Sequence, residues 1–371
     1  AIDFDDFHFR INYKTERKLR PNDKKVKTLL DSWTDTKKTF RYIKRVTLTH
    51  SEFPFQIDCS IVKTSNKTNK RYLVSEYKIE QSNVFNNEQT YEIEIELINY
   101  QMKRKSRKWF IQGELSKAVK NGIKLVLSGI QKTNFPISFV ERDLILKQYY
   151  SLIYFGENPP ETKKISSRQF IGPSSISLEM QNIIKLNDIS SEPNINNPYT
   201  VTDKADGERK LLYINKTGKV YLIDVNMNVQ FTGCIVKHKS YINTIIDGEH
   251  VISDINGNYI NKYLAFDIYI SNRKDMRAYP FIPGKDLIYE DKDLEKDIFR
   301  KINLEEYIQK FKPESIIPNK EIPMTFGVKK FYNNIEETIF IQCKKVMNDV
   351  DNSLYEYETD GLIFTPAFFG V

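Results

Sequence analysis

Four short runs in the second half of the chain pair apolar and β-branched residues with charged ones at a strand end, and this repetition restricts the fold more than any other feature. They are Tyr199-Thr200-Val201-Thr202-Asp203-Lys204-Ala205-Asp206-Gly207-Glu208-Arg209, Ile245-Ile246-Asp247-Gly248-Glu249, Tyr263-Leu264-Ala265-Phe266-Asp267 and Glu358-Thr359-Asp360-Gly361-Leu362-Ile363-Phe364. Each reads as a β-strand whose charged residues sit where the strand meets a turn. In the first, a single Lys faces a turn that Gly207 lets the backbone make. Positive neighbours or desolvation lower the pKa of a Lys held in such a place and turn its ammonium into a nucleophile.

Length and composition bound the alternatives. With 371 residues the chain is long enough for two domains, each with its own core. Charged residues make up 28% and hydrophobic ones 40%, so no membrane-spanning run is expected, and the start carries no signal-peptide pattern. The net charge of +7 fits an anionic partner without specifying one. Cys59, Cys234 and Cys343 are scattered, so neither a disulfide framework nor a zinc site is indicated and a reducing compartment is expected.

The first half is rich in alternating patterns. Residues 7–14 read as a strand with His8, Arg10, Asn12 and Lys14 on one side. Over 39–49, Arg41, Arg45 and Thr47 share a face; over 55–63, Phe55, Ile57, Cys59 and Ile61 form an apolar one. A further strand is predicted over 72–80, then a turn at 83–87, then Tyr91-Glu92-Ile93-Glu94-Ile95-Glu96-Leu97. Period-two geometry puts Glu92, Glu94 and Glu96 on one face of that last strand. Exposed, this is a plain amphipathic strand; turned into a barrel, the acids need a hard divalent cation with oxygen ligands.

Beyond 99, Lys103-Arg104-Lys105-Ser106-Arg107-Lys108-Trp109 reads as a solvated basic loop in preference to an RNA contact, and 114–129 as a helix. Residues 141–155 close the first domain, because the adjacent prolines of Gly156-Glu157-Asn158-Pro159-Pro160 are the strongest break in the chain. A short helix is predicted over 177–188 and a loop over 190–198. Strands over 210–214 and 220–224 flank a hairpin turn at Asn215-Lys216-Thr217-Gly218-Lys219, and helices are predicted over 294–311 and 333–348.

The order Lys204-Ala205-Asp206-Gly207, with Arg209 beyond, resembles the Lys-x-Asp-Gly signature of covalent nucleotidyltransferases, the polynucleotide ligases and mRNA-capping guanylyltransferases. The three later runs resemble that family's next motifs, in the same order. The resemblance implies that Lys204 attacks the α-phosphate of a nucleoside triphosphate. It places Asp206, Gly207, Arg209, Glu249, Tyr263, Asp267 and Asp360 around the nucleotide, with Tyr263 stacked on the base and Asp267 and Asp360 near a Mg²⁺ or Mn²⁺ ion. The 92–96 run resembles the Glu-x-Glu strand of triphosphate-tunnel RNA triphosphatases. By that resemblance Glu92, Glu94 and Glu96 are metal ligands, while Arg41, Arg45 and Lys63 hold the triphosphate. The family's first Glu-x-Glu strand is not found before Glu92.

Together these imply an α+β protein: an N-terminal antiparallel β-tunnel over 1–158 and a nucleotidyltransferase domain over 159–371. An upstream triphosphatase makes the diphosphate end that a guanylyltransferase uses, which favours GTP over ATP and resembles the capping enzymes of large DNA viruses. The expected partners are an RNA 5′ end, GTP and a methyltransferase domain or subunit outside these residues, with no membrane, in the host cytoplasm, a viral factory or the virion. The family's Lys-x-Lys motif and OB-fold lid would follow Phe364, so the chain, ending at Val371, reads as a fragment. An ATP-dependent ligase and a non-catalytic nucleotide- or RNA-binding scaffold are the alternatives.

Overall fold

A computed structural model describes residues 1–14, 19–98, 113–159, 164–184, 192–284 and 298–371. The chain divides into two compact units, Ala1–Lys132 and Thr133–Val371. Both mix helices with antiparallel sheets, with one parallel pairing in the second.

In the first unit, β1 (Ile2–Phe4) and β2 (Phe9–Ile11) form a two-stranded ribbon. The strand predicted over 7–14 is shorter because His8 turns left-handed, at φ 51°, before it begins. Helix α1 (Lys24–Asp31) starts at Asp23, whose carboxylate accepts from the Lys25 amide at 3.0 Å. β3 (Arg41–Thr49), β4 (Phe55–Thr64) and β5 (Thr90–Leu97) make an antiparallel sheet in that order. Helix α2 (Glu114–Gln131) lies on its apolar face, where Gly122 comes so near the Phe55 ring that a Cβ would stand 2.7 Å from it. Residues 72–80 make turns and an isolated bridge between Lys38 and Glu76 instead of the expected strand. Among the described residues this sheet has β3 and β5 as free edges, so the three strands do not themselves close into the expected tunnel.

The second unit begins earlier than the prolines suggested. Helix α3 (Phe139–Ile153), capped by Ser138, buries Ile145, Leu146, Tyr149 and Ile153 against Leu211, Tyr213, Tyr221 and Ile223. Its apolar side belongs to this unit's core, so 141–155 does not close the first. Next come β6 (Tyr199–Ala205), β7 (Glu208–Ile214), β8 (Lys219–Asp224), β9 (Val229–Ile235), β10 (Thr244–Ser253), β11 (Tyr259–Ser271) and β12 (Lys274–Asp275). They are followed by α4 (Arg300–Lys310), β13 (Glu314–Ser315), β14 (Thr325–Val328), β15 (Tyr332–Asn333), α5 (Ile339–Asp351) and β16 (Thr359–Pro366).

An eight-stranded sheet runs β12-β11-β10-β7-β8-β9-β13, with β14 parallel to β11; a smaller sheet runs β15-β6-β16. The large sheet is covered on both faces. Leu211 and Tyr213 pack under α3, while Leu212 and Ile214 pack under α4, so the run 211–214 is apolar without alternation. Helix α5 seats Ile339 and Val346 on Val201 of the small sheet. The predicted hairpin at 215–219 is present between β7 and β8. The basic run 103–109 lies outside the described residues, as do parts of the segments predicted over 177–188, 190–198 and 294–311. The described part of the first contains a short 3-10 turn, Met180–Asn182.

Candidate active site

Lys204 stands where the small sheet hands the chain to the large one, since β6 belongs to the first and β7 to the second. Thr200, Val201, Thr202 and Asp203 are buried, and Lys204 then emerges into solvent. On the neighbouring β16 the pairing slips between Thr359, opposite Ala205, and Leu362, opposite Asp203. The extra residue makes a bulge, and Gly361 occupies it at φ 150°, where a side chain would be strained. The bulge delivers Asp360 to Lys204, Oδ2 to Nζ 2.6 Å, with both side chains half-exposed.

That contact reverses one expectation. The hydrogen bond from Lys204 to Asp360 raises the amine's pKa, and the charges of Glu249 and Asp206 add to it, so the protein alone keeps Lys204 an ammonium. Asp206 is exposed and its amide donates to the Glu358 carbonyl at 2.8 Å, tying the turn to the β16 side. Gly207 is not in the left-handed region; it is needed for space. A Cβ there would lie 2.7 Å from Glu249 Cγ and 2.9 Å from the His250 carbonyl oxygen, so a side chain would push the Lys204 turn away from β10.

Glu249 pairs across from Arg209. Burial pushes its carboxyl up to about 7, with Asp247 adding to the rise and Lys329, Arg209 and Lys204 opposing it. The native pKa thus exceeds the unfolded one, so its contribution to stability is full below about 4.5 and is lost as pH rises through about 7. Replacing Glu249 with Gln is therefore expected to raise Tm relative to wild type at pH 8 and to make little difference at pH 4. A Tm difference independent of pH would refute the buried-carboxyl assignment.

Arg209 anchors the site's floor. It makes a two-point pair with Asp247, Nε to Oδ1 3.1 Å and Nη2 to Oδ2 2.6 Å, and donates to the Pro173 carbonyl at 2.7 Å. Tyr269 donates to Asp247 at 2.5 Å. The guanidinium also lies against the rings of Phe170 and Phe266. Arg209 is thus committed to the connector as well as to the pocket, a tether with no local sequence signal.

Two expected contacts are not available. Tyr263 is fully buried; its hydroxyl donates toward the Lys210 and Ile246 carbonyls, each at 2.9 Å, and accepts from the Leu212 amide at 3.2 Å. It cannot stack on a base from there. Residues three apart on a strand point to opposite faces, and here Phe266 is the extra residue of a bulge between Ala265, opposite Gly248, and Asp267, opposite Asp247. Phe266, partly exposed beside Arg209, is the aromatic on the site side. Asp267 is engaged as well: buried Arg300 clamps it, Nε to Oδ1 2.9 Å and Nη2 to Oδ2 3.1 Å, which leaves it no free edge for a metal. Sequence reasoning also missed Lys329, which is buried at Asp203, the residue before Lys204.

In the first unit, the face bearing Glu92, Glu94 and Glu96 is a ladder of paired charges. Arg41 bonds Glu92; Arg45 bonds Ser60 at 2.9 Å, Asp58 at 3.0 Å and Glu94 at 2.7 Å; Gln56 donates to Glu96 at 3.3 Å. Arg41 and Arg45 are on the expected face, but the acids meet them and do not converge on a cation position. Lys63 is on the opposite face, sharing the parity of Phe55, Ile57, Cys59 and Ile61, and donates to the Phe85 carbonyl at 2.7 Å. No group of three metal-ligating side chains occurs among the described residues in either unit.

The strand-end Lys204 with Asp206, Glu249 and Asp360 lies within the stretch, residues 161–368, that matches the family described as mRNA capping enzyme, catalytic domain. The chain belongs to that family. It is 28% identical over 265 residues to a protein of Acanthamoeba polyphaga mimivirus named as a probable mRNA-capping enzyme, covering 64% of this chain and 20% of that one. It is 27% identical over 205 residues to an mRNA-capping enzyme of Danio rerio, covering 53% of this chain and 30% of that one. The chain therefore spans less than a third of the length of either relative. No described helix is long and apolar enough to cross a membrane.

Proposed function

We propose that the chain transfers GMP from GTP to the 5′ end of RNA, with Lys204 as the nucleophile. The observation that carries this reading is the half-exposed Lys204 amine held 2.6 Å from Asp360 at the junction of the two sheets, within a capping-enzyme catalytic domain. Asp360 is the acceptor within reach of the ammonium's proton. The freed amine attacks the α-phosphorus: an N–P bond forms, the P–O bond to the β-phosphate breaks, pyrophosphate leaves, and the nitrogen gives up a second proton to solvent. In the second step an oxygen of a 5′-diphosphate RNA end attacks the same phosphorus, the P–N bond breaks, and the amine regains a proton. Gly207 keeps the turn close to β10, and Arg209 holds the floor through Asp247.

A Mg²⁺ or Mn²⁺ ion would neutralise the triphosphate when bound. Glu249 would hold it, with phosphate oxygens and water as its other ligands, while Asp360 stays with Lys204. Family membership and the names of both relatives support GTP over ATP. For the first unit, Arg41 and Arg45 are taken up by Glu92, Asp58 and Glu94, so no triphosphate contact is assigned to them. Because Glu92, Glu94 and Glu96 face those arginines and Gln56, no hydrolytic step is assigned to them.

Incubation with α-phosphate-labelled GTP, and separately ATP, followed by a denaturing gel tests the reading. A GTP-derived covalent adduct is expected. An adduct from ATP alone would indicate a ligase, and none from either a binding module; both outcomes would overturn guanylyl transfer.

A further inference from the structure

A second lysine lies behind Lys204. Lys329 follows β14 and is 2% exposed. Its Nζ donates to the Asp203 carbonyl at 2.9 Å and stands 3.4 Å from Asp203 Oδ2. Asp203 is fully buried; Oδ1 accepts from Thr202 Oγ1 at 3.2 Å, and the carboxylate faces the Lys329 ammonium and the Tyr357 hydroxyl. β15 pairs with β6 only at Thr200 and Val201, so among the described residues the rest of that edge of β6 has no strand beside it. Thr202 Oγ1 meets the Lys330 carbonyl at 2.8 Å, and the Lys329 ammonium takes the place of the missing strand at Asp203.

The Asp203 carbonyl belongs to the peptide that contributes the Lys204 nitrogen. An ammonium bonded to it fixes the orientation of that peptide, and so the direction in which Lys204 leaves the strand. On the other sides the same point is held by the Asp360 bulge and by the contact of Gly207 with β10. Capping an unpaired carbonyl needs only a neutral donor. A buried ammonium is costly to desolvate, and here it also faces the charges of Glu249 and Asp360 across the pocket.

We propose that Lys329, paired with Asp203, is a positioning residue for nucleotidyl transfer: it aims the Lys204 amine along the line of attack on the α-phosphorus. This rests on the reading of Lys204 as nucleophile. Lys329→Met alone would leave Asp203 buried and uncompensated, so the informative variant is Asp203→Asn with Lys329→Met, which removes both charges at nearly constant volume.

Adduct formation is measured as a function of GTP concentration, alongside Tm. For the double variant the maximal rate is expected to fall about 100-fold, as for a slightly misplaced reacting group. Its half-saturating GTP is expected to stay within about threefold of wild type, since ground-state binding is not what is lost. Asp203→Asn with Lys329→Gln, which restores a donor near the carbonyl, is expected to recover part of the rate and serves if the first double variant does not fold. A wild-type maximal rate in the folded Asp203→Asn, Lys329→Met variant would overturn the proposal, as would a Gln variant no faster than the Met one. So would a raised half-saturation at unchanged maximal rate, which would make Lys329 a GTP contact. Absence of any adduct from the wild-type protein would instead overturn the nucleophile reading beneath it.

Discussion

Replacing Lys204 with Ala is expected to abolish the covalent nucleotide adduct, lowering adduct formation by about 10⁴-fold or more, because no other side chain supplies the attacking nitrogen. The fold should be untouched. Lys204 is half-exposed, its bonded partner Asp360 is half-exposed too, and surface substitutions of this kind change stability by about 0.5 kcal/mol or less. Labelling with α-phosphate-labelled GTP, read beside an unchanged Tm, checks both halves. A variant that labels as well as wild type would assign the nucleophile elsewhere. Lys329 is the nearby alternative amine, but it is buried and bonded to Asp203, so it is poorly placed to attack a nucleotide.

Arg300→Met is expected to have the largest effect on stability, about 3–5 kcal/mol, or roughly 10 °C in Tm for a unit of this size. Arg300 is 1% exposed and holds more than Asp267. Its Nη1 donates to the Tyr279 carbonyl and to the Phe369 carbonyl at 3.1 Å, and its guanidinium lies over Phe281. Removing it strands the Asp267 carboxylate in the interior. That carboxyl is already pushed up to about 6 by burial, against the opposing pull of Arg300. Combining Arg300→Met with Asp267→Asn is expected to recover much of the loss, since taking away both charges is cheaper than orphaning one. Thermal unfolding of the single and double variants measures this. If the double variant is stable yet forms no adduct, Asp267 acts in the chemistry after all.

The sequence went furthest where a feature depends only on its own neighbours in the chain. The hairpin at 215–219, the helix predicted over 114–129 and the strand that ends just past Lys204 follow from periodicity and turn residues; the helix predicted over 333–348 begins only at Ile339, after Tyr332 and Asn333 have paired with β6, and the strand expected to end at Glu249 runs on to Ser253. The resemblance misplaces Lys63 with Arg41 and Arg45: within its own strand it shares the parity of Phe55, Ile57, Cys59 and Ile61, and the pairing of Arg41 with Thr64 and of Arg45 with Ser60 puts the arginines on the other face. Tyr263 and Asp267 show where local reasoning stops. Spacing cannot show that a bulge at Phe266 intervenes, or that the partner of Asp267 is Arg300 on a helix that follows much later in the chain. The unit boundary failed for a related reason. Adjacent prolines mark a local break, whereas α3 is assigned by the core its apolar side enters.

The sequence by itself determined that Lys204 and Asp206 would meet a turn at the end of a short strand and that further acids would lie on strands of the same domain, because strand periodicity and turn chemistry are local; Asp247, Glu249 and Asp267, expected at strand ends, lie inside longer strands. Only the tertiary structure decided which of those charges face one another across the sheet junction and which are used up in buried pairs. Register slips of single residues and contacts between distant segments settle that: they place Asp360 on Lys204, withdraw Tyr263 and Asp267 into the interior, and set Lys329 beneath the strand that carries the amine.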